Sequence, residues 1–313
     1  ITNFHMTNDI DSIQYIMYMS KKLHKEIGFI GLGIMGKPMV KNLLKSKYAI
    51  YFYARKKRVI NEIKRLGGKF FDDIGEISKA CKIIIVNLPE SKDVKEVILS
   101  KHGLWKNISK DTTIIDMSTI SPDVTVSISK KLKKLKAHLI DAPVSGGEIG
   151  AIKGNLSIMA GGEKNIFNKI KPMLGVLGKN ITYIGKSGSG QIAKACNQIL
   201  VAETMIAVSE ILLLAKKTKC DLKLIREALM GGFANSKILD LHGQRMIEGN
   251  YKPGFKVGLH LKDLNIAVEL AKKTGLRLNN ALYARKLMRA ANYMKLQNKD
   301  SSIINKIIQD YNK

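Results

Sequence analysis

A glycine-rich segment near residue 30 has the spacing of a phosphate-binding turn. It follows the apolar run EIGFI directly, precedes the amphipathic stretch MGKPMVKNLL, and consists of Gly31-Leu32-Gly33-Ile34-Met35-Gly36. A strand, a GxGxxG turn and a helix in succession are typical of dinucleotide binding, because the glycines let a pyrophosphate approach the helix N-terminus closely. We therefore predict that these six residues bind a dinucleotide cofactor.

The end of the next apolar run, AIYFY, bears on which dinucleotide is bound. NAD-specific sites usually place Asp or Glu here to bind the ribose 2′-hydroxyl. This chain has Ala54 and Arg55 instead, followed by two lysines. A basic side chain at this point favours the 2′-phosphate of NADP, so we predict NADP or NAD, with NADPH preferred. The alternative is that these basic residues are merely solvated.

Lys194 has a side chain that suits proton transfer, although spacing alone does not distinguish it among 45 lysines. It follows the turn KSGSG at 186–190 by four residues, near the start of a long helical pattern. An ammonium group with an ordinary pKa of about 10.4 is charged at neutral pH, so it could stabilise and protonate an alkoxide formed by hydride transfer. Asn197 and Gln198, at i+3 and i+4, would share its helix face. Cys196 would point away from Lys194, and we interpret it as a core residue.

The elements that must position these residues change in type along the chain. From Glu26 to about Gly185, amphipathic segments separate the apolar runs EIGFI, AIYFY, KIIIVNL, TTIIDM, HLIDA, LSIMA and ITYI. This alternation predicts an α/β fold, a Rossmann-type doubly wound parallel sheet domain followed by an all-α domain. We expect an NAD(P)-binding domain over 26–186, an all-helical substrate and oligomerisation domain over 187–313, and a cleft between them. Residues 1–25 are expected to be a disordered or artefactual extension, with Met19 as a natural start.

The formal net charge of +27 raises nucleic acid as a partner, but the composition argues against it. Only 8 of the 53 basic residues are Arg, and the Lys residues are scattered, whereas phosphate and base recognition favours Arg. We predict no specific nucleic-acid partner. No uninterrupted apolar run approaches the roughly 20 residues of a membrane span, the histidines lack metal-ligand spacing, and three cysteines favour a reducing cytoplasm. We therefore expect a cytoplasmic protein with no membrane association and no metal.

Several segments together resemble the β-hydroxyacid dehydrogenases over essentially residues 26–296: GFIGLGIMGKPMVKNLL, DMSTISP, DAPVSGGEIGAIKGNLSIMAGG, GSGQIAKACNQ and PGFKVGLHLKDLNIA. The resemblance implies that Lys194 is the catalytic acid/base in the nicotinamide-dependent reduction of a small semialdehyde to a hydroxyacid. It assigns substrate binding to Ser145, Gly146, Gly147, Asn197, Gln198 and Phe255. It adds Leu88, Pro89, Thr119 and Lys262 to the cofactor site, and it implies a homodimer or homotetramer formed through the helical domain. Family members place a substrate-binding Asn at one or both of positions 197 and 198, so the role of the Gln198 amide is open.

The substrate is open within this family. Five segments resemble most the subfamily that acts on 2-hydroxy-3-oxopropionate (tartronate semialdehyde): SGGEIGA, KACNQ, LMGGFANSKIL, HGQRMI and LHLKDLN. The resemblance therefore implies this substrate, and 3-hydroxyisobutyrate, glyoxylate and succinic semialdehyde are the alternatives. The alternative of another class is a non-catalytic, nucleic-acid-associated relative of the fold. Only the charge supports that alternative, and Lys194 with the intact glycine turn argues against it.

Overall fold

The computed structural model describes residues 25–312. The expected extension over residues 1–25 lies outside them, except for Lys25. The chain divides into two compact units, the first ending at Gln191 and the second beginning at Ile192. This boundary lies inside a long helix, shortly after the glycine-rich turn where the sequence pattern changes.

The first unit is built on one sheet, which in the described residues has nine strands: β1 (Glu26–Ile30), β2 (Ala49–Tyr53), β3 (Lys69–Phe70), β4 (Ile83–Val86), β5 (Thr113–Asp116), β6 (His138–Asp141), β7 (Val144–Ser145), β8 (Leu156–Gly161) and β9 (Gly178–Gly185). The order is β3-β2-β1-β4-β5-β6-β8-β7, with β9 paired to β8. The helices between the strands are α1 (Gly36–Lys45), α2 (Lys57–Arg65), α3 (Ile74–Ala80), α4 (Ser91–Leu99), α5 (Pro122–Lys134), α6 (Gly147–Lys153) and α7 (Lys164–Leu174). A short 3-10 helix spans Leu104–Lys106.

Apolar residues on both faces of the sheet form the core of this unit. All four residues of β4 are buried, as expected for a central parallel strand. Successive side chains point to opposite faces, so Ile85 and Ile115 pack into one core cluster while Ile84 and Ile114 pack into the other. Strand β1 pairs in parallel with both β2 and β4, and the strand order reverses there. Such a reversal is where open α/β sheets bind ligands, at the carboxyl ends of the strands.

The far side of the sheet differs from the fully parallel arrangement expected for the apolar runs. Strand β8 pairs antiparallel with β6 and with β7, and parallel with β9. Only ten residues, 146–155, connect β7 to β8. This length suits an antiparallel return, because a parallel one needs a crossover of a dozen or more residues. The two-residue strands β3 and β7 also escaped prediction, since two residues are too few to show an alternation.

The second unit is helical, as predicted. Its helices are α8 (Ser189–Lys217, which contains the boundary between the units), α9 (Leu222–Met230), α10 (Gln244–Glu248), α11 (Val257–Lys273), α12 (Asn279–Tyr293) and α13 (Ile304–Tyr311). A π-helical turn spans Leu239–Gly243 and a 3-10 helix spans Ser301–Ile303. Among the described residues of this unit, the one pairing of strand type is an isolated bridge between Lys256 and Asp300.

Helix α8 is 29 residues long and contributes apolar residues such as Met205 and Leu212 to the core of the second unit. By length and composition alone it is long and apolar enough to cross a membrane. The expectation from sequence rested on uninterrupted apolar runs, which Glu203 and Glu210 break here. In the most apolar 18-residue stretch of α8, 44% of the residues are buried inside the protein.

Candidate active site

The glycine turn has the geometry expected of a dinucleotide-binding loop. Gly31 has a φ of +102°, and a Cβ there would collide with the backbone carbonyl of Asn87. A Cβ on Gly36, the first residue of α1, would collide with the carbonyl of Gly31. A Cβ on Gly33, by contrast, would meet no atom of the described residues within 4 Å. Gly31 and Gly36 thus serve the fold, whereas Gly33 borders open space next to the start of α1, which fits a pyrophosphate.

The remaining residues of the turn divide between core and surface. Leu32 is buried and packs into the core, and Met35 is partly buried against the same cluster. Ile34 is about half exposed, at 51%. The turn is therefore anchored by Leu32 and Met35, while Gly33 and Ile34 remain accessible.

Basic residues surround a shallow depression formed by α1 and α2. It has a volume of ≈ 530 Å³ and is lined by Lys37, Arg58, Asn61, Glu62 and Arg65. The Glu62 carboxylate, which lines the depression, forms ion pairs with Lys37 at 3.2 Å and Lys41 at 2.5 Å. Just before α2, Ala54 is partly buried against the core and Arg55 is exposed. This surface is cationic, and Arg58 contributes to it although the sequence argument did not single it out.

Hydrogen bonds join the loops after β4 and β5. The Asn87 side chain donates to the Met117 carbonyl at 3.0 Å, and the Leu88 N–H donates to the Ser118 hydroxyl at 2.9 Å. Leu88 is half-buried, whereas Pro89 is exposed. Because both loops follow central strands, these bonds hold Leu88 and Pro89 at the carboxyl edge of the sheet, where the cofactor was expected.

Gln191 fixes the next part of this edge. Its side chain donates to the Ser118 carbonyl at 2.9 Å and accepts the Ile120 N–H at 3.1 Å. Thr119, the half-buried residue between them, is thereby held in place. Gln191 lies within the segment GSGQIAKACNQ, but no role was predicted for it from the sequence.

Asp141, at the end of β6, is a buried carboxylate that the sequence argument missed. It accepts the N–H groups of Gly188 at 2.9 Å and Gln191 at 3.1 Å, around the start of α8. A Cβ on either Gly161 or Gly190 would lie 2.8 Å from its Oδ2. Burial raises the pKa of Asp141 above its ordinary value, although the backbone donors oppose this shift. The carboxylate thus fixes the chain that leads into α8.

Ser145, Gly146 and Gly147 form the turn into α6. Gly146 has a φ of +134° and Gly147 one of +62°, both in the region that favours glycine. The two glycines are exposed, and Ser145 is half-buried. A Cβ on Gly147 would meet nothing within 4 Å in the part of the chain that the structure describes. The turn therefore offers a hydroxyl and an accessible backbone to a ligand.

Lys194 lies in the second turn of α8 and is only 7% exposed. Burial lowers the pKa of Lys194 to about 8; the negative charge of Asp263 opposes this shift, and the positive charge of Lys262 adds to it. A lysine with a pKa near neutrality can give up a proton and take one back during turnover. This environment distinguishes Lys194 from an exposed surface lysine.

Asp263 lies at the centre of the polar groups in this part of the second unit. It is 3% exposed, forms an ion pair with Lys262 at 2.7 Å, and accepts the side-chain N–H of Gln198 at 2.7 Å. Gln198 in turn accepts from the Asn197 side chain at 2.7 Å. The Gln198 amide is thus engaged within the protein, and Asn197 is the more exposed of the two predicted amides.

Phe255, which the resemblance assigns to substrate binding, is half-buried in the second unit. Its ring lies 5.1 Å from the ring of His260, measured between centroids. No role was predicted for His260 from the sequence. An aromatic contact of this kind stabilises the position of the Phe255 ring.

The interpretation of Cys196 as a core residue is wrong, because Cys196 is exposed. Lys194 faces the interior of the protein. Since two positions along a helix correspond to a rotation of about 200°, the residue at 196 turns outward.

The sheet carries a glycine turn with an open phosphate cradle, and the helical unit that follows buries a lysine of lowered pKa. Together these features define a nicotinamide-dependent dehydrogenase. Residues 26–185 match the family model of the NAD binding domain of 6-phosphogluconate dehydrogenase. Residues 188–308 match the family model described as NAD-binding of NADP-dependent 3-hydroxyisobutyrate dehydrogenase.

Individual relatives agree with these two matches. The chain is 44% identical over 262 residues to 2-hydroxy-3-oxopropionate reductase of Escherichia coli, covering 84% of this chain and 89% of that protein. It is 35% identical over 272 residues to mitochondrial 3-hydroxyisobutyrate dehydrogenase of Rattus norvegicus, covering 85% and 81%. The solved 3-hydroxyisobutyrate dehydrogenase of Mycobacterium tuberculosis is 26% identical with a TM-score of 0.82, covering 90% and 98%.

The chain belongs to the 3-hydroxyisobutyrate dehydrogenase family. It is an NAD(P)-dependent oxidoreductase that acts on CH–OH groups, and its cofactor is NAD or NADP.

Proposed function

We propose that the enzyme reduces 2-hydroxy-3-oxopropionate to glycerate, with Lys194 as the general acid. The observation that carries the catalytic part is the burial of Lys194, which lowers its pKa to about 8. The choice of substrate rests on the 44% identity to a reductase of that name. The alternative substrates are those of 3-hydroxyisobutyrate dehydrogenase and of glyoxylate or succinic semialdehyde reductases.

Lys194 acts at the carbonyl oxygen of the substrate. When bound, the reduced nicotinamide supplies a hydride to the aldehyde carbon. The alkoxide oxygen that develops takes a proton from the Lys194 ammonium, so the C=O group becomes CH–OH and Lys194 becomes a neutral amine. Asp263 stabilises the charged form of Lys194 before transfer, since its negative charge opposes the effect of burial. Solvent returns the proton after turnover.

The substrate carboxylate binds at Ser145, Gly146 and Gly147 in this proposal. The Ser145 hydroxyl and the exposed backbone of the two glycines supply donors, and the space around Gly147 is open. Of the two amides after Lys194, Asn197 contacts the substrate, because Gln198 is engaged with Asp263. Phe255 covers the substrate.

The cofactor is held by the glycine turn and the adjoining strand ends. The cradle at Gly33 and the N-terminus of α1 take the pyrophosphate. Arg55 binds the 2′-phosphate of NADP beside Ala54, and Leu88, Pro89 and Thr119 line the nicotinamide end. Lys262 is also a cofactor-binding residue in this proposal. Its ion pair with Asp263 also places it close to Lys194 in the second unit.

The test is a reductase assay with 2-hydroxy-3-oxopropionate, methylmalonate semialdehyde, glyoxylate and succinic semialdehyde, each with NADPH and NADH. We expect the highest kcat/KM on 2-hydroxy-3-oxopropionate. Lys194→Ala should lower kcat by at least about 10²-fold while cofactor affinity stays near that of the wild type. A higher kcat/KM on another aldehyde would reassign the substrate, and near-normal turnover by the Lys194 variant would remove its role as general acid.

A cytoplasmic location and self-association belong to the same proposal. All three cysteines, Cys81, Cys196 and Cys220, are free thiols, which accords with a reducing compartment. The second unit exposes large apolar side chains along α8, which accords with a homodimer or homotetramer.

A further inference from the structure

His260 is a fully buried residue of α11 that touches two predicted substrate residues. Its exposure is 0%. Its Nε2 lies 3.1 Å from the backbone carbonyl of Gln198, in the turn of α8 that follows Lys194. Its ring lies 5.1 Å from that of Phe255, at an interplanar angle of 50°. One imidazole therefore contacts both the helix of Lys194 and the predicted substrate cover.

The protonation state of this ring follows from its surroundings. Burial lowers the pKa of His260, and the positive charges of Lys194 and His242 act in the same direction, against the bond to Gln198 and the charge of Asp263. The ring is neutral, and its single N–H must be on Nε2, because the partner there is a carbonyl that only accepts. This donated bond fixes the orientation of the ring.

The other ring nitrogen argues for a role beyond packing. Nδ1 is buried and has no hydrogen-bond partner among the described residues. A buried acceptor without a partner is unfavourable, and an apolar side chain of similar size would avoid that cost. An imidazole at this position is therefore best explained by what its N–H and its ring do for the neighbouring residues.

We propose that His260 is a positioning residue for the reductase: its N–H bond to Gln198 holds the Lys194 turn of α8, and its ring holds Phe255. This inference rests on the proposed function. Loss of each contact should have a different kinetic effect, because the bond to Gln198 acts on the proton donor whereas the ring acts on the residue that covers the substrate. Loss of the first should lower kcat, and loss of the second should raise KM.

Two substitutions separate the contacts. His260→Gln keeps an amide nitrogen at the same number of bonds from Cβ as Nε2, so it keeps a donor for Gln198 and loses the ring. His260→Phe keeps a ring against Phe255 and loses the donor. Val268→Ala, two turns further along α11 and outside the polar cluster, serves as the control for general loss of packing.

We expect His260→Gln to raise the KM for the semialdehyde about tenfold, with kcat within about twofold of wild type. We expect His260→Phe to lower kcat about tenfold, with KM within about twofold of wild type. Cofactor affinity should stay constant in all variants, and Val268→Ala should change neither constant beyond its active fraction. The positioning role is wrong if kcat falls and KM rises together in both His260 variants. It is also wrong if both variants behave like the control at equal melting temperature.

A second readout needs no substrate. Trace labelling of the holoenzyme with acetic anhydride, followed by mass spectrometry, gives the pH at which the Lys194 amine becomes reactive. His260→Phe should displace that pH and His260→Gln should leave it unchanged; identical profiles in wild type and His260→Phe would overturn the proposal. A wild type that reduces none of the four aldehydes would overturn the proposed function, while the labelling would still decide the role of His260.

Discussion

Gln198 donates its side-chain N–H to Oδ2 of Asp263 across 2.7 Å, with both residues almost fully buried. Helix spacing predicted that Gln198 shares a helix face with Lys194, and the resemblance to family members implied a substrate contact there while leaving the role of the Gln198 amide open. In the structure its amide joins α8 to α11 and orients the carboxylate of Asp263, whose negative charge opposes the lowering of the Lys194 pKa. We infer that the substrate-facing role passes to Asn197, whose side chain donates to Gln198 and is more exposed.

The two amides should therefore respond differently to removal. Asn197→Ala should raise the KM for the semialdehyde about tenfold and change the melting temperature little, because a half-buried amide loses one contact. Gln198→Ala should destabilise the protein by about 1–3 kcal/mol, because it leaves a buried carboxylate without its donor. Steady-state kinetics and thermal unfolding check both expectations. The assignment fails if Gln198→Ala alters only KM and leaves the melting temperature unchanged.

The pH dependence should show the titration of Lys194. Its folded pKa of about 8 lies below the ordinary value, so the ammonium needed for reduction is lost as pH rises through about 8. The kcat/KM for reduction should fall above that pH, and the kcat/KM for oxidation of the hydroxyacid should rise to a plateau. Lys194→Arg should be slower but should lack this transition, since guanidinium stays protonated. A wild-type profile that is flat through pH 8 in both directions would contradict the assignment.

The glycine turn allows a matched pair of substitutions. Gly33→Ala adds a methyl group into open space, so it should leave the melting temperature unchanged and weaken cofactor binding by about tenfold or more. Gly31→Ala forces a Cβ into the Asn87 carbonyl at a φ of +102°, and should destabilise the fold by more than about 2 kcal/mol. Calorimetry with NADPH and thermal unfolding measure the two effects. Unchanged cofactor affinity in Gly33→Ala would mean that the pyrophosphate binds elsewhere.

Cofactor preference should follow the charges after β2. NADPH should serve at least as well as NADH, and Ala54→Asp should shift preference towards NADH by adding an acceptor for the 2′-hydroxyl. Arg58→Ala should weaken NADPH more than NADH, because Arg58 lines the cationic depression. Lys64→Ala, exposed on the same helix, is the control for net charge. Strong native preference for NADH would show that this surface does not bind a 2′-phosphate.

Self-association should depend on the exposed side of α8. Leu200 and Leu214 are 67% and 66% exposed, which is unfavourable for leucines in water. Light scattering at micromolar concentration should give at least twice the chain mass of 34.8 kDa. Replacing both leucines with Lys should lower the measured mass, and Leu66→Lys, in the first unit, should not. An active wild-type monomer would remove the prediction of assembly.

The parts of the protein that the sequence alone determined are local ones. A turn such as Gly31 to Gly36 depends on residues within a few positions, so the role of its glycines can be predicted from the local sequence. The same holds for the apolar runs of the central strands and the helical pattern that follows Ser189. Lys194 was identified differently, through the resemblance of the segment around it to known family members, since spacing alone does not distinguish it among 45 lysines.

Tertiary structure decided what depends on contacts between distant residues. Gln198 and Asp263 are 65 positions apart, and His260 lies 62 positions from the carbonyl it binds; no spacing rule predicts either pair. Burial also distinguishes groups of one type, since Asp141 is enclosed by glycines and backbone donors whereas an isolated aspartate is expected to be solvated. Desolvation and charge depend on everything packed around a group, and for that reason the lowered pKa of Lys194 emerged only in the folded chain.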